Sequence, residues 1–197
     1  MGLLSLAGCN QGPGRIPGVD VSVERVAENI VHEYDKDGSG TLSQKELASV
    51  PAVEVNRSWY DVDHDGEIST SELRAGLAVI FDAKIGLLSA WCNVSRNGRP
   101  LPGALVEFVP LPELQGAVPP ASATTDDQGI AKMAVADDDL PANSPRSLSL
   151  VRPGLYLVKV THPTISIPPK YNTDTTLGKE ISNHSTASGP LKINLKF

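Results

Sequence analysis

Two stretches of equal length carry the side chains best suited to chemistry: Asp35-Lys36-Asp37-Gly38-Ser39-Gly40-Thr41-Leu42-Ser43-Gln44-Lys45-Glu46 and Asp61-Val62-Asp63-His64-Asp65-Gly66-Glu67-Ile68-Ser69-Thr70-Ser71-Glu72. Acidic or hydroxyl side chains occupy alternate places in each, and a glycine stands sixth, Gly40 in one and Gly66 in the other. Oxygen donors at that spacing suit a hard divalent cation. Such an ion takes about six to eight oxygens at roughly 2.3–2.6 Å, and a short loop surrounds it only by turning alternate side chains inward and reversing sharply midway. Glycine permits the reversal.

Both stretches resemble the EF-hand calcium loop. The resemblance implies that the first loop uses Asp35, Asp37, Ser39, the Thr41 carbonyl, Ser43 and both oxygens of Glu46, and the second Asp61, Asp63, Asp65, the Glu67 carbonyl, Ser69 and Glu72, for two Ca2+ sites. The first loop departs from the pattern at Ser39, where Asp or Asn is usual. With fewer ligating carboxylates, it is expected to bind more weakly. Leu42 and Ile68, eighth in their loops, are expected to bridge them in a short antiparallel contact, so that the sites fold and fill together. A blander reading stands beside this one: Asp-Gly-Ser-Gly is an ordinary turn composition, and Ser43 with Glu46, or Ser69 with Glu72, makes a capping box without any metal. The repetition of the whole pattern between helical flanks favours calcium.

Helices must hold these loops. Val23, Val26, Ala27, Ile30, Val31 and Tyr34 recur at the spacing of one apolar helical face. A short exiting helix is expected from near Ser43 to before Pro51, with Ala52, Val55 and Trp59 leading into the second loop. Leu73, Leu77, Ile80 and Phe81 give a last helix its apolar face, expected to end near Gly86. Only 26 positions separate Asp35 from Asp61, so the middle helices are short and a long calmodulin-like groove is not expected.

The chain of 197 residues is 40% hydrophobic and 20% charged, enough for two small domains. Its net charge of −6 argues against nucleic acid or an anionic membrane surface as a partner. Two bound calcium ions cancel four of those charges. Cys9 and Cys92 alone give no disulfide framework. Leu6-Ala7-Gly8-Cys9 resembles a bacterial lipoprotein box, which implies lipidation of Cys9, membrane attachment through that anchor only, and an extracytoplasmic setting in the cell envelope. No basic residue precedes the box and the apolar run is short; a start assigned too far downstream accounts for both. The other reading is a leucine-rich segment with a free thiol. Gly- and Pro-rich residues to about Asp20 read as a linker.

After Gly86 the period becomes two. Leu88, Ala90, Cys92 and Val94 face one way; Arg96-Asn97-Gly98-Arg99 supplies a hairpin turn; Ala104, Val106 and Phe108 alternate with Leu105, Glu107 and Val109. Asp126-Asp127-Gln128-Gly129 reads as a turn, Tyr156, Val158 and Val160 share a face, and Leu191, Ile193, Leu195 and Phe197 alternate to the end. Strands with one apolar face each must pair their sheets. Asn97 to Pro110, Thr125 to Gly129 and Pro153 to Val160 resemble the carboxypeptidase-regulatory or transthyretin-like β-sandwich. The expected fold is therefore multidomain α plus β: leader and linker over 1–22, an all-α EF-hand pair over 23–86, and an antiparallel β-sandwich over 87–197.

No chemistry beyond metal binding is legible. The histidines His32, His64, His162 and His184 form no HExxH pattern, there is no G-x-S-x-G, and the Tyr-Arg-Gly-Ser tail of hydroxyisourate hydrolases is missing. Asp137-Asp138-Asp139 reads as a solvated loop and Cys92 as a small buried residue. The expectation is a non-enzymatic calcium-binding lipoprotein, with calcium in a structural role and the sandwich supporting or contacting a protein or polysaccharide partner. The alternatives are a calcium sensor that exposes a partner-binding surface, and an accessory module of a surface-polysaccharide enzyme.

Overall fold

Ser22 starts the first helix because its side chain accepts the Arg25 amide, and the apolar spacing then buries Val26, Ala27, Ile30 and Val31 along one face of α1 (Val23–Tyr34). The computed structural model describes residues 16–142, 144–184 and 189–197; Cys9 lies outside them. After α1 come β1 (Thr41–Leu42), α2 (Gln44–Leu47), α3 (Pro51–Glu54), α4 (Arg57–Tyr60), β2 (Ile68–Ser69) and α5 (Thr70–Phe81). The segment expected to lead straight into the second loop is broken into two single turns, α3 and α4. Val55, expected on the apolar side, is exposed at the break, and Asn56 after it turns its side chain to another part of the chain. The last helix also stops earlier than Gly86, at Phe81, and Lys84 beyond it takes a left-handed φ of 51°. Leu73, Leu77, Ile80 and Phe81 are buried as their spacing requires, and α5 packs along α1.

Strands follow: β3 (Trp91–Arg96), β4 (Arg99–Pro100), β5 (Leu105–Pro110), β6 (Ala121–Thr124), β7 (Ile130–Lys132), β8 (Ala134–Val135), β9 (Gly154–Thr161), β10 (Gly178–Ile181) and β11 (Leu191–Leu195). One sheet runs β10-β9-β5-β6-β8; the other runs β11-β3-β4, with β7 also on β3. Alternation places Cys92, Val94, Val106, Phe108, Tyr156, Val158, Val160, Ile193 and Leu195 in one buried apolar cluster, which extends into the helices. Asn97 and Gly98, at φ 50° and 79°, make the tight β3–β4 turn.

The strand half is not wholly antiparallel. β11 pairs with β3 in parallel, Ile193 opposite Val94, because the chain crosses from the β9–β10 sheet to reach β3 on the far side. Residue alternation is blind to strand direction. Among the described residues no helix is long and apolar enough to cross a membrane.

The helical and strand halves are in close contact. Gly178 of β10 lies so close to α3 that a Cβ there would stand 2.1 Å from the Pro51 carbonyl carbon and 2.2 Å from the Ala52 nitrogen. Arg152 closes another side, donating from one guanidinium nitrogen to the carbonyls of Pro17 (2.7 Å) and Gly86 (3.0 Å).

Candidate metal centre

The two loops repeat one backbone. Their fourth residues, Gly38 and His64, have φ of 74° and 61°, and their sixth, Gly40 and Gly66, 85° and 89°. These left-handed turns fold each loop back over its first aspartate. β1 and β2 then pair, Leu42 opposite Ile68 and Thr41 opposite Ser69, so the expected bridge between the loops is present. Both apolar residues are fully buried.

In the first loop, one ligand atom from each of Asp35, Asp37 and Glu46 lies within 4.8 Å of the others. Asp35 Oδ2 accepts the Gly40 amide (2.8 Å), and Oδ1 accepts those of Gly38 (2.7 Å) and Ser39 (3.2 Å). Glu46 Oε1 accepts the Lys36 amide at 2.7 Å. Its Oε2 accepts the Ser43 hydroxyl at 2.6 Å and the Ser43 amide at 2.9 Å. These contacts favour the anions. The Ser43 hydroxyl and amide, with the Lys36 amide, hold Glu46 down at about 2, and the Gly40 amide foremost holds Asp35 below the usual carboxylate range.

In the second loop, Asp61, Asp63 and Asp65 form the corresponding cluster within 4.8 Å. Glu72 lies outside that mutual set, yet is held as Glu46 is. Its Oε1 accepts the Val62 amide (2.9 Å) and its Oε2 the Ser69 amide (2.9 Å) and hydroxyl (2.8 Å). Burial pushes Glu72 up, but those hydrogen bonds together keep it below its ordinary value. Asp61 Oδ2 accepts the Gly66 amide (3.1 Å), whereas Oδ1 is buried without any hydrogen-bond partner.

That orphaned oxygen tests the donor set. A buried carboxylate oxygen without a donor is costly, and three clustered carboxylates repel one another. A hard cation relieves both. Oxygen-only ligands, their number and the glycine reversal fit calcium.

Ser43 and Ser69 spend their hydroxyls on Glu46 and Glu72, so the capping boxes are real and serve the metal loops by orienting the twelfth-position glutamates. Ser39 Oγ sits 3.3 Å from the Thr41 carbonyl. The Glu67 side chain turns away from its own loop and accepts the Thr41 hydroxyl across the bridge. His64 is exposed. Asp137–Asp139 form an exposed turn outside both clusters. Cys92 is buried, and burial pushes its thiol up to about 12.

Sequence reasoning missed Glu180. It is fully buried on β10, and accepts hydrogen bonds from Tyr60 Oη (2.9 Å) and Asn56 Nδ2 (3.1 Å), with His184 Nε2 at 2.5 Å from its other oxygen. The His184 ring stacks on Trp59, centroids 4.1 Å apart. A lone glutamate in an alternating strand carries no signal of such a role.

The family model described as EF hand matches residues 32–51 and 60–78. Each match spans one loop with its flanks, and residues 32–78 form an EF-hand pair with two Ca2+ sites. No curated protein and no solved structure matches the chain.

Proposed function

We propose that this protein is a non-enzymatic, calcium-stabilised module of the bacterial cell envelope. In this reading, a lipid on Cys9 anchors it, and a transthyretin- or carboxypeptidase-regulatory-like sandwich over 87–197 supports or binds another surface component. Calcium, when bound, supplies the positive charge that the two carboxylate clusters lack. The chain's own residues do the rest: Gly40 and Gly66 close the loops, Ser43 and Ser69 orient the glutamates, and Leu42 and Ile68 join the sites.

A structural role for calcium rests chiefly on one observation, the close seating of β10 on the hand pair at Pro51–Ala52. A sensor needs an apolar face that metal uncovers. Here that face merges with the apolar cluster of the strand half. The large apolar residues exposed on the helical module among the described residues are Val55, Val62 and Val79.

The setting is inferred from Leu6-Ala7-Gly8-Cys9, and mass spectrometry of the native N-terminus tests it. The structural role is tested by heating the protein with millimolar calcium and with chelator while an environment-sensitive dye reports apolar surface. This reading expects a higher melting temperature with calcium and an unchanged dye signal below the transition. A calcium-dependent rise in dye signal at constant fold would support the sensor reading instead.

A further inference from the structure

The outward face of the β3 sheet carries a groove that the calcium sites do not use. Trp91 and Leu148 stand open to solvent at 40% and 57% exposure, and with Lys132 they line a hollow of about 520 Å³. A second hollow of about 390 Å³ runs on from it, sharing Ile130, and is walled by Asn93, Gln128 and Lys192. Strand register explains the continuity, since Trp91 faces Lys132 and Asn93 lies between Ile130 and Lys192.

Three features select an occupant. The indole offers a flat apolar face beside hydroxyl and amide groups, a mixture that suits a sugar ring, apolar on its C–H face and polar at its rim. Asn93 and Gln128 put amide groups on the groove wall, and amides pair well with sugar hydroxyls. Charge supplies the third. The groove has two lysines and no carboxylate among its lining residues, on a chain of net charge −6. Strand addition by an extended peptide needs a sheet edge, whereas the groove lies on the sheet's face over β3, which is already paired on both sides, by β11 and by β4 and β7.

We propose that this groove binds an acidic polysaccharide, with one sugar ring on Trp91 and its carboxylates drawn to Lys132 and Lys192. The inference rests on the reading of the strand half as a binding module and names its partner class.

The test titrates the calcium-loaded full chain with short oligogalacturonates, neutral dextran oligomers and polyglutamate, following indole emission and heat. The expected result is saturable oligogalacturonate binding that perturbs the emission and is weakened about tenfold or more by Trp91→Ala. Lys132→Gln with Lys192→Gln should weaken it several-fold and flatten its salt dependence. Trp91 is exposed, so the variant is expected to fold, and an unchanged melting temperature verifies that. The proposal is overturned if oligogalacturonate does not bind, if neutral dextran binds equally well, or if polyglutamate competes equally and Trp91→Ala changes nothing. Intact calcium uptake in the same samples would leave the calcium reading standing and locate the failure in the groove.

Discussion

Tyr60 donates a 2.9 Å hydrogen bond to Glu180, and the residue after Tyr60 is Asp61, the first ligand of the second calcium loop. The Tyr60 ring also lies against Gly76 of the helix leaving that loop, so closely that a Cβ on Gly76 would stand 2.2 Å from it. One side chain of the helix before the loop therefore touches both the helix after it and the strand half. Those contacts give metal binding in the loop a physical route to the seam between the two halves, which the next variant tests.

Removing the hydroxyl with Tyr60→Phe leaves a buried carboxylate short of a donor. We expect a loss of roughly 1–3 kcal/mol, read as a lower melting temperature, together with weaker calcium binding at the second loop. A variant that melts and binds calcium as the parent does would show that Tyr60 and Glu180 are not coupled to the site.

Gly178→Ala places a methyl against the α3 backbone, where neither partner can yield as a flexible side chain would. Overpacking of that kind costs about 1–3 kcal/mol, and the seam between the halves should open first. Limited proteolysis checks this: cleavage between 82 and 90 should accelerate in the variant, while unchanged resistance would contradict the packing described.

Acid should destabilise the calcium-free protein through its loop carboxylates. Glu46, at about 2 in the folded chain, has a glutamate's ordinary value, near 4.3, when unfolded. Its contribution is therefore complete above about pH 5 and is lost as pH falls from there toward 2. Asp35 and Glu72 are shifted the same way. Urea midpoints measured in chelator at pH 7, 4 and 3 should fall in that order; a midpoint that holds to pH 3 would contradict it.

How much was legible depended on how local each feature is. The loops could be read almost whole, because a twelve-residue cage carries its own ligands, its own glycine and its own capping serine. The inward faces of α1, α5, β5 and β9 followed from periodicity alone. The break between α3 and α4 was not legible, and the contact made there is distant: Asn56 reaches Glu180 across 124 positions of sequence. The parallel seating of β11 on β3 was equally hidden, since alternation fixes which side chains point inward and says nothing of the direction in which a strand runs.

The central claim is tested most directly by calorimetric titration of chelator-stripped protein with calcium, alongside Glu46→Gln and Glu72→Gln. Two equivalents should bind, with Glu72→Gln abolishing the tighter step, Glu46→Gln the weaker, and each raising the melting temperature on binding. No heat of calcium binding in the parent, or uptake that neither substitution alters, would contradict the account.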